Sequence, residues 1–95
     1  MAVIELPKIA TDEELELFSK VVSDNVKRLR IEKNISQLDM ALSIGQKGSG
    51  FYACAEACLN AKRFNIFHLY KIAKVLECDI CEFFKPIDMP TQSGS

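Results

Sequence analysis

No glycine or proline interrupts the chain between Thr11 and Lys33, and Leu15, Phe18, Val22, Val26 and Leu29 recur within that span at spacings of three and four. Such a run is best satisfied by a long amphipathic helix, or two nearly continuous ones, with one apolar stripe. Thr11-x-x-Glu14 reads as a capping box at its start, and Asp12 and Glu13 suit the positive end of a helix dipole. Asn34 is a plausible stop. A helix this long in a chain of 95 residues leaves room for a single core and little surplus, so oligomerisation would help stability.

The rest of the chain breaks into shorter helical segments. Ser36-x-x-Asp39 is a second capping-box-like start, with Leu38, Ala41, Leu42 and Ile44 expected inside and Gly45 as the stop. A polar turn follows, Gln46-Lys47-Gly48-Ser49-Gly50. Phe51, Cys54, Ala55 and Cys58 then repeat at helical spacing to about Leu59. Asn60 to Arg63 reads as a loop. Asn65 is placed to cap a fourth helix with Ile66, Leu69, Ile72, Ala73 and Leu76 inside. Asp79-x-x-Glu82 opens a last short helix carrying Ile80, Phe83 and Phe84, and Pro86 and Pro90 end regular structure. Only residues 2–5, in the apolar arm 1–10, hint at a strand. The expected class is all-α, with about five helices.

The net charge of −1 conceals a division. Residues 1–24 carry six acids and two bases, residues 25–74 nine bases and three acids, and residues 75–95 four acids and one base. A basic middle between acidic flanks is the footprint of a surface that meets phosphates, although random clustering on a solvated surface gives the same arithmetic. No apolar stretch approaches the roughly 18 residues of a membrane span. Glu5 and Pro7 sit where a signal peptide needs a basic and then an apolar run. The expected location is therefore cytoplasmic, where the four cysteines would remain reduced.

Two short helices joined by a tight glycine turn need a small residue at their crossing, a glycine in the turn and an apolar anchor beyond it. Ala41, Gly45 and Phe51 fit, with Cys54 as a further contact. The run Asn25-Val26-Lys27-Arg28-Leu29-Arg30, then Ile35-Ser36-Gln37 and Ala41-x-x-x-Gly45, resembles the Cro/lambda-repressor (XRE-like) helix-turn-helix family. The segments Leu69 to Leu76 and Asp79 to Phe84 extend the resemblance, which covers about residues 24–84. It implies a five-helix, lambda-repressor-like bundle that binds double-stranded DNA sequence-specifically, as a homodimer on two-fold sites. On that basis residues 1–23 form an N-terminal arm and acidic helix extension, 24–86 a helix-turn-helix DNA-binding domain, and 87–95 a disordered tail.

The resemblance also implies roles. Gln37 opens the second helix, where the family bonds a phosphate and buttresses the recognition helix. Lys47, Gly48, Ser49, Gly50 and Ala53 match positions that face the major groove, with Gln46 in the same turn and Tyr52 beside them. Lys62 and Arg63 match a basic loop that neutralises phosphates, and Lys27 is a further candidate. Arg30 matches an arginine paired with an acid on the third helix. The matching position here holds Ala55, with Glu56 one residue later. Glycine, serine and alanine at the groove-facing positions specify bases less than Gln, Asn or Arg would, so DNA shape or a partner is left to contribute.

Cys54-x3-Cys58 and Cys78-x2-Cys81 approach a four-cysteine zinc pattern, but helical spacing also makes them small buried residues, and a redox pair is the third reading. His68, the only histidine, stands near no nucleophile or acid-base pattern, and the Gly45-x-x-Gly48-x-Gly50 run lacks the preceding strand of a phosphate loop. The expectation is a DNA-binding transcriptional regulator with no enzymatic activity, cofactor or metal. The alternatives are a degenerate helix-turn-helix interaction module, antitoxin-like or adaptor, using the arm (Val3, Ile4, Leu6), the acidic helix and Phe83-Phe84 to hold a protein partner, and a small zinc domain.

Overall fold

The computed structural model describes residues 9–86. The strand pattern at 2–5, the arm residues before Ile9 and the tail 87–95 lie outside the described residues. Four α-helices follow in order: α1 (Asp12–Glu32), α2 (Gln37–Ser43), α3 (Gly50–Ala57) and α4 (Ile66–Leu76). A 3-10 helix, Ile80–Phe84, closes the chain. Among the described residues there is no strand, and no helix is long and apolar enough to cross a membrane.

Local sequence explains each boundary. The Thr11 hydroxyl accepts the Glu14 N–H at 3.0 Å and the Glu14 carboxylate accepts the Thr11 N–H at 2.8 Å, a complete capping box. α1 runs unbroken to Glu32, and Asn34 takes a left-handed φ of 59°, which asparagine tolerates. Ser36 caps α2 through the Asp39 N–H at 2.9 Å. Gly45 then leaves it at φ 95°, where a side chain would be strained. At α4 the box is made by Asn65 and His68. The Asn65 oxygen accepts the His68 N–H at 2.8 Å, and the imidazole Nδ1 accepts the Asn65 N–H at 3.0 Å.

The fifth α-helix of the sequence reading is corrected to the 3-10 helix. Only five residues separate its Asp79 cap from Lys85, and Lys85 is extended (φ −78°, ψ 139°), as a residue before proline prefers.

The core lies where α1 packs on α3, α4 and the 3-10 helix, and α2 packs on α3 and α4. It is built from Val22, Val26, Met40, Ala41, Ile44, Tyr52, Leu69, Ile72, Ala73, Leu76 and Phe83. In α4 the expected set is inside except Ile66, which is exposed. In α2 the inner stripe is Met40, Ala41 and Ile44, while Leu38 and Leu42 are about half exposed, on the other side of a two-turn helix. In α3 the expected Ala55 is buried, together with Tyr52 and Glu56, whereas the expected Phe51, Cys54 and Cys58 are only half-buried. One step along an α-helix turns its face by about 100°, so Tyr52 and Glu56 lie inward where the neighbouring Phe51 lies only half inside. Phe83 and Phe84 are likewise divided, one in the core and one on the surface.

Asn25 ties the chain's end to α1. It is 1% exposed, and its amide donates to the Phe83 carbonyl at 3.0 Å and the Lys85 carbonyl at 2.7 Å. Asn25→Ala leaves both carbonyls without their side-chain donor and is expected to destabilise the protein by about 2 kcal/mol in denaturant unfolding. A loss within error would remove this clamp from the forces holding the 3-10 helix.

Candidate nucleic-acid interface

Three helices meet on one carboxylate. Arg30 on α1 grips Glu56 on α3 with two parallel bonds, Nε to Oε2 at 2.8 Å and Nη2 to Oε1 at 2.9 Å. Its remaining nitrogen, Nη1, donates to the Ile35 carbonyl at 2.7 Å, closing the turn from α1 into α2. Gln37, the first residue of α2, donates to the same Oε1 at 2.9 Å. The two charged side chains are only 10% and 2% exposed. A second tie lies further along α3: Ser23 donates to the Ala55 carbonyl at 3.0 Å, and the Cys58 thiol donates to the Ser23 hydroxyl at 3.4 Å.

Burial works to lift the Glu56 carboxyl, but the hydrogen bonds from Arg30 and Gln37 and the guanidinium charge outweigh it and hold the group below its ordinary range. The bond to Glu56 in turn raises Arg30. The Tyr52 hydroxyl is buried beside this pair with no hydrogen-bond partner among the described residues. Burial, then the neighbouring carboxylate, push it well above the phenol range.

The expected site residues fall into three groups. Lys47 is exposed and Ser49 half-exposed in the α2–α3 connection. Lys27 and Lys62 are also exposed, and Lys27 stands on the side of α1 that carries Ser23 and Arg30, both bonded to α3. A second group is engaged with the protein. Gln37 holds Glu56, and Arg63 pairs with Glu16 on α1 at 2.5 Å while donating to the Lys62 carbonyl. The third group faces inward. Tyr52 is 0% exposed, so its expected contact with DNA is corrected: it is the anchor that the sequence reading assigned to Phe51. Gln46 is half-buried, and its side-chain oxygen is buried without a donor among the described residues.

Two lysines were missed. Lys71 on α4 reaches the Ile44 carbonyl at 3.4 Å, and Lys74, one turn on, lines the same shallow cleft as Ser43, Ile44 and Gly45. Their spacing of three on α4 was the available signal. Between Asp39 and Glu56 the chain carries no acid and one base, Lys47, so these lysines extend a positive surface beside the connection.

The backbone of the connection is open. Ser49 makes no side-chain cap, so no side chain of the cap residue covers the first-turn N–H groups of α3. A Cβ added at Gly48 or Gly50 would meet nothing within 4 Å, and neither has a positive φ. Internal packing therefore does not require glycine at either position. Among the described residues no three His, Cys, Asp or Glu side chains group where they would hold a metal, and all four cysteines are free.

No protein-family model matches this chain, and neither a curated protein nor a solved structure shows significant similarity to it.

Removing one member of a buried ion pair strands the other, so Glu56→Ala is expected to cost about 3 kcal/mol in denaturant unfolding. Because the folded-state carboxyl lies below its ordinary 4.5, the pair's stabilisation is complete above that pH and is lost as pH falls through the folded value. Glu56→Gln should therefore show a shallower loss of stability below about pH 4.5 than the unaltered protein. Equal acid limbs would mean the pair contributes nothing to acid unfolding.

Proposed function

We propose that this chain is a DNA-binding transcriptional regulator in which α2 and α3 form a helix-turn-helix of the Cro/lambda-repressor kind, acting as a homodimer on double-stranded DNA in the cytoplasm. The observation that carries the reading is the open α2–α3 connection. An uncapped helix start, a Gly48-Ser49-Gly50 stretch with no packing reason for glycine, and an exposed Lys47 are held as one unit by the Arg30–Glu56–Gln37 network. Backbone N–H groups at a helix start suit a phosphate oxygen, and absent side chains let a duplex come close. Lys47, Lys27 and Lys62 supply charge, joined by Lys71 and Lys74. Ser49 and Ala53 are the small groups left to touch base edges.

In this reading the protein positions itself by phosphates more than it reads bases. Arg63, already paired with Glu16, is assigned a structural share in that loop, and Lys62 the phosphate contact. The exposed apolar surface around Phe18 and Phe84 favours a protein contact as well, and on its own it would suit an interaction module. Duplex binding separates the two. Fluorescence anisotropy of a mixed-sequence duplex of about 20 base pairs, titrated at several salt concentrations, should give log affinity falling linearly with log salt, by about 0.9 per phosphate neutralised. Absence of binding at low salt would sink the DNA reading and leave the interaction module.

The connection itself is tested by two substitutions. Lys47→Ala should reduce the salt slope by about one. Gly50→Ala, at the first residue of α3 with open space around it, should leave thermal stability unchanged or slightly raised while weakening duplex binding about tenfold. Undiminished affinity in Gly50→Ala would show that no duplex approaches that backbone.

A further inference from the structure

The apolar stripe of α1 extends past the bundle. Val22 and Val26 are core residues, 7% and 0% exposed, yet Phe18 and Leu15, the next steps along the same stripe, are 56% and 54% exposed. Phe18 stacks on Phe84 with ring centres 6.1 Å apart, and the two form one wall of a groove of about 480 Å³. Val22, Phe64, Ile66 and Leu69 also line it, with Arg63 among its polar groups. No residue of α2 or α3 takes part, so this face remains open when the α2–α3 connection is occupied.

We propose that this face is where a second copy of the chain binds, the Leu15–Phe18 ridge of each copy seated in the groove of the other. The inference rests on the homodimer in the functional reading and gives it an interface. Ridge and groove adjoin on one face, which is what a two-fold contact requires: the same patch must serve as knob and as socket. Leu15, Phe18, Ile66 and Phe84 together expose on the order of 400 Å² of apolar surface, within the range of the largest patch found on a typical monomer. Two copies bring together about 800 Å² of it before any polar rim is counted, and the rim has to supply the remainder of the roughly 1,200 Å² at which stable interfaces begin. Charge fits as well. The exposed first turn of α1 holds Asp12, Glu13 and Glu14, while Arg63, bonded to Glu16 of its own chain and still partly exposed, lines the groove. A second copy brings both signs to one contact.

Sedimentation equilibrium of the full chain without DNA tests this. The unaltered protein is expected at twice the chain mass. Leu15→Glu with Phe18→Glu is expected at the single-chain mass, with an unchanged circular dichroism spectrum, because both side chains are more than half exposed. Ile66→Glu, 68% exposed on α4, is an independent probe and should raise the dissociation constant at least tenfold. Leu38→Glu with Leu42→Glu, on the exposed side of α2, should leave the dimer intact. A dimer that survives the α1 and Ile66 changes, or that only the α2 changes dissociate, would place the interface elsewhere. An unaltered protein that stays at the single-chain mass at every concentration overturns the proposal outright, while duplex binding, measured separately, would still stand or fall alone.

Discussion

A guanidinium and a carboxylate taken out of water must satisfy each other, and here that requirement organises the whole molecule. Each charge alone would cost several kcal/mol to bury. Together, with Gln37 and the Ile35 carbonyl completing their bonds, they fix three helices at one point. The geometry is exacting because the guanidinium fork and the carboxylate are planar and meet edge to edge. A small hydrophobic core slides more readily than a bidentate pair does. Glu56 thus sets how α3 lies on α1, and Gln37 sets where α2 begins relative to α3.

The two faces of the molecule divide along the length of α1. Its second half is built into the bundle, with Ser23, Asn25, Val26 and Arg30 each committed to α3, the core or the 3-10 helix. Its first two turns carry acids and an uncovered apolar ridge. The positive, backbone-rich connection and the acidic, apolar overhang are therefore different surfaces, made by different stretches of chain. The whole-chain charge hides this separation, because the opposing signs nearly cancel.

Much of the architecture was legible. Thr11, Ser36, Asn65 and Asp79 mark helix starts through short-range bonding that depends only on neighbours three or fewer residues away, so the sequence displays it directly. What was not legible depended on length and partner. Phe51, Cys54 and Cys58 fit an inward stripe with Ala55 as well as Tyr52 and Glu56 do, since periodicity gives spacing without phase. Only the contact between Glu56 and Arg30, 26 residues apart, decides the phase. The same limit applies to Arg63, whose pairing with Glu16 spans 47 residues, and to Lys71, whose relation to Ile44 requires two helices to be packed. Of the candidate site, the open glycines and Lys47 were readable. Tyr52 was not, because a tyrosine in a short helix is equally at home on either side.

The connection between Gly45 and α3 makes chain length itself a structural quantity. Deleting one position among residues 46–49 would not simply shorten a loop. It would roll α3 by one residue, carry the carboxylate away from the guanidinium, and bring Ala57 where Glu56 stood. Substitution on the outer side of α3 changes one side chain, whereas a single-codon deletion in the connection changes the identity of every position the helix presents. For this segment the meaningful distance between two related sequences is counted in gaps before it is counted in mismatches.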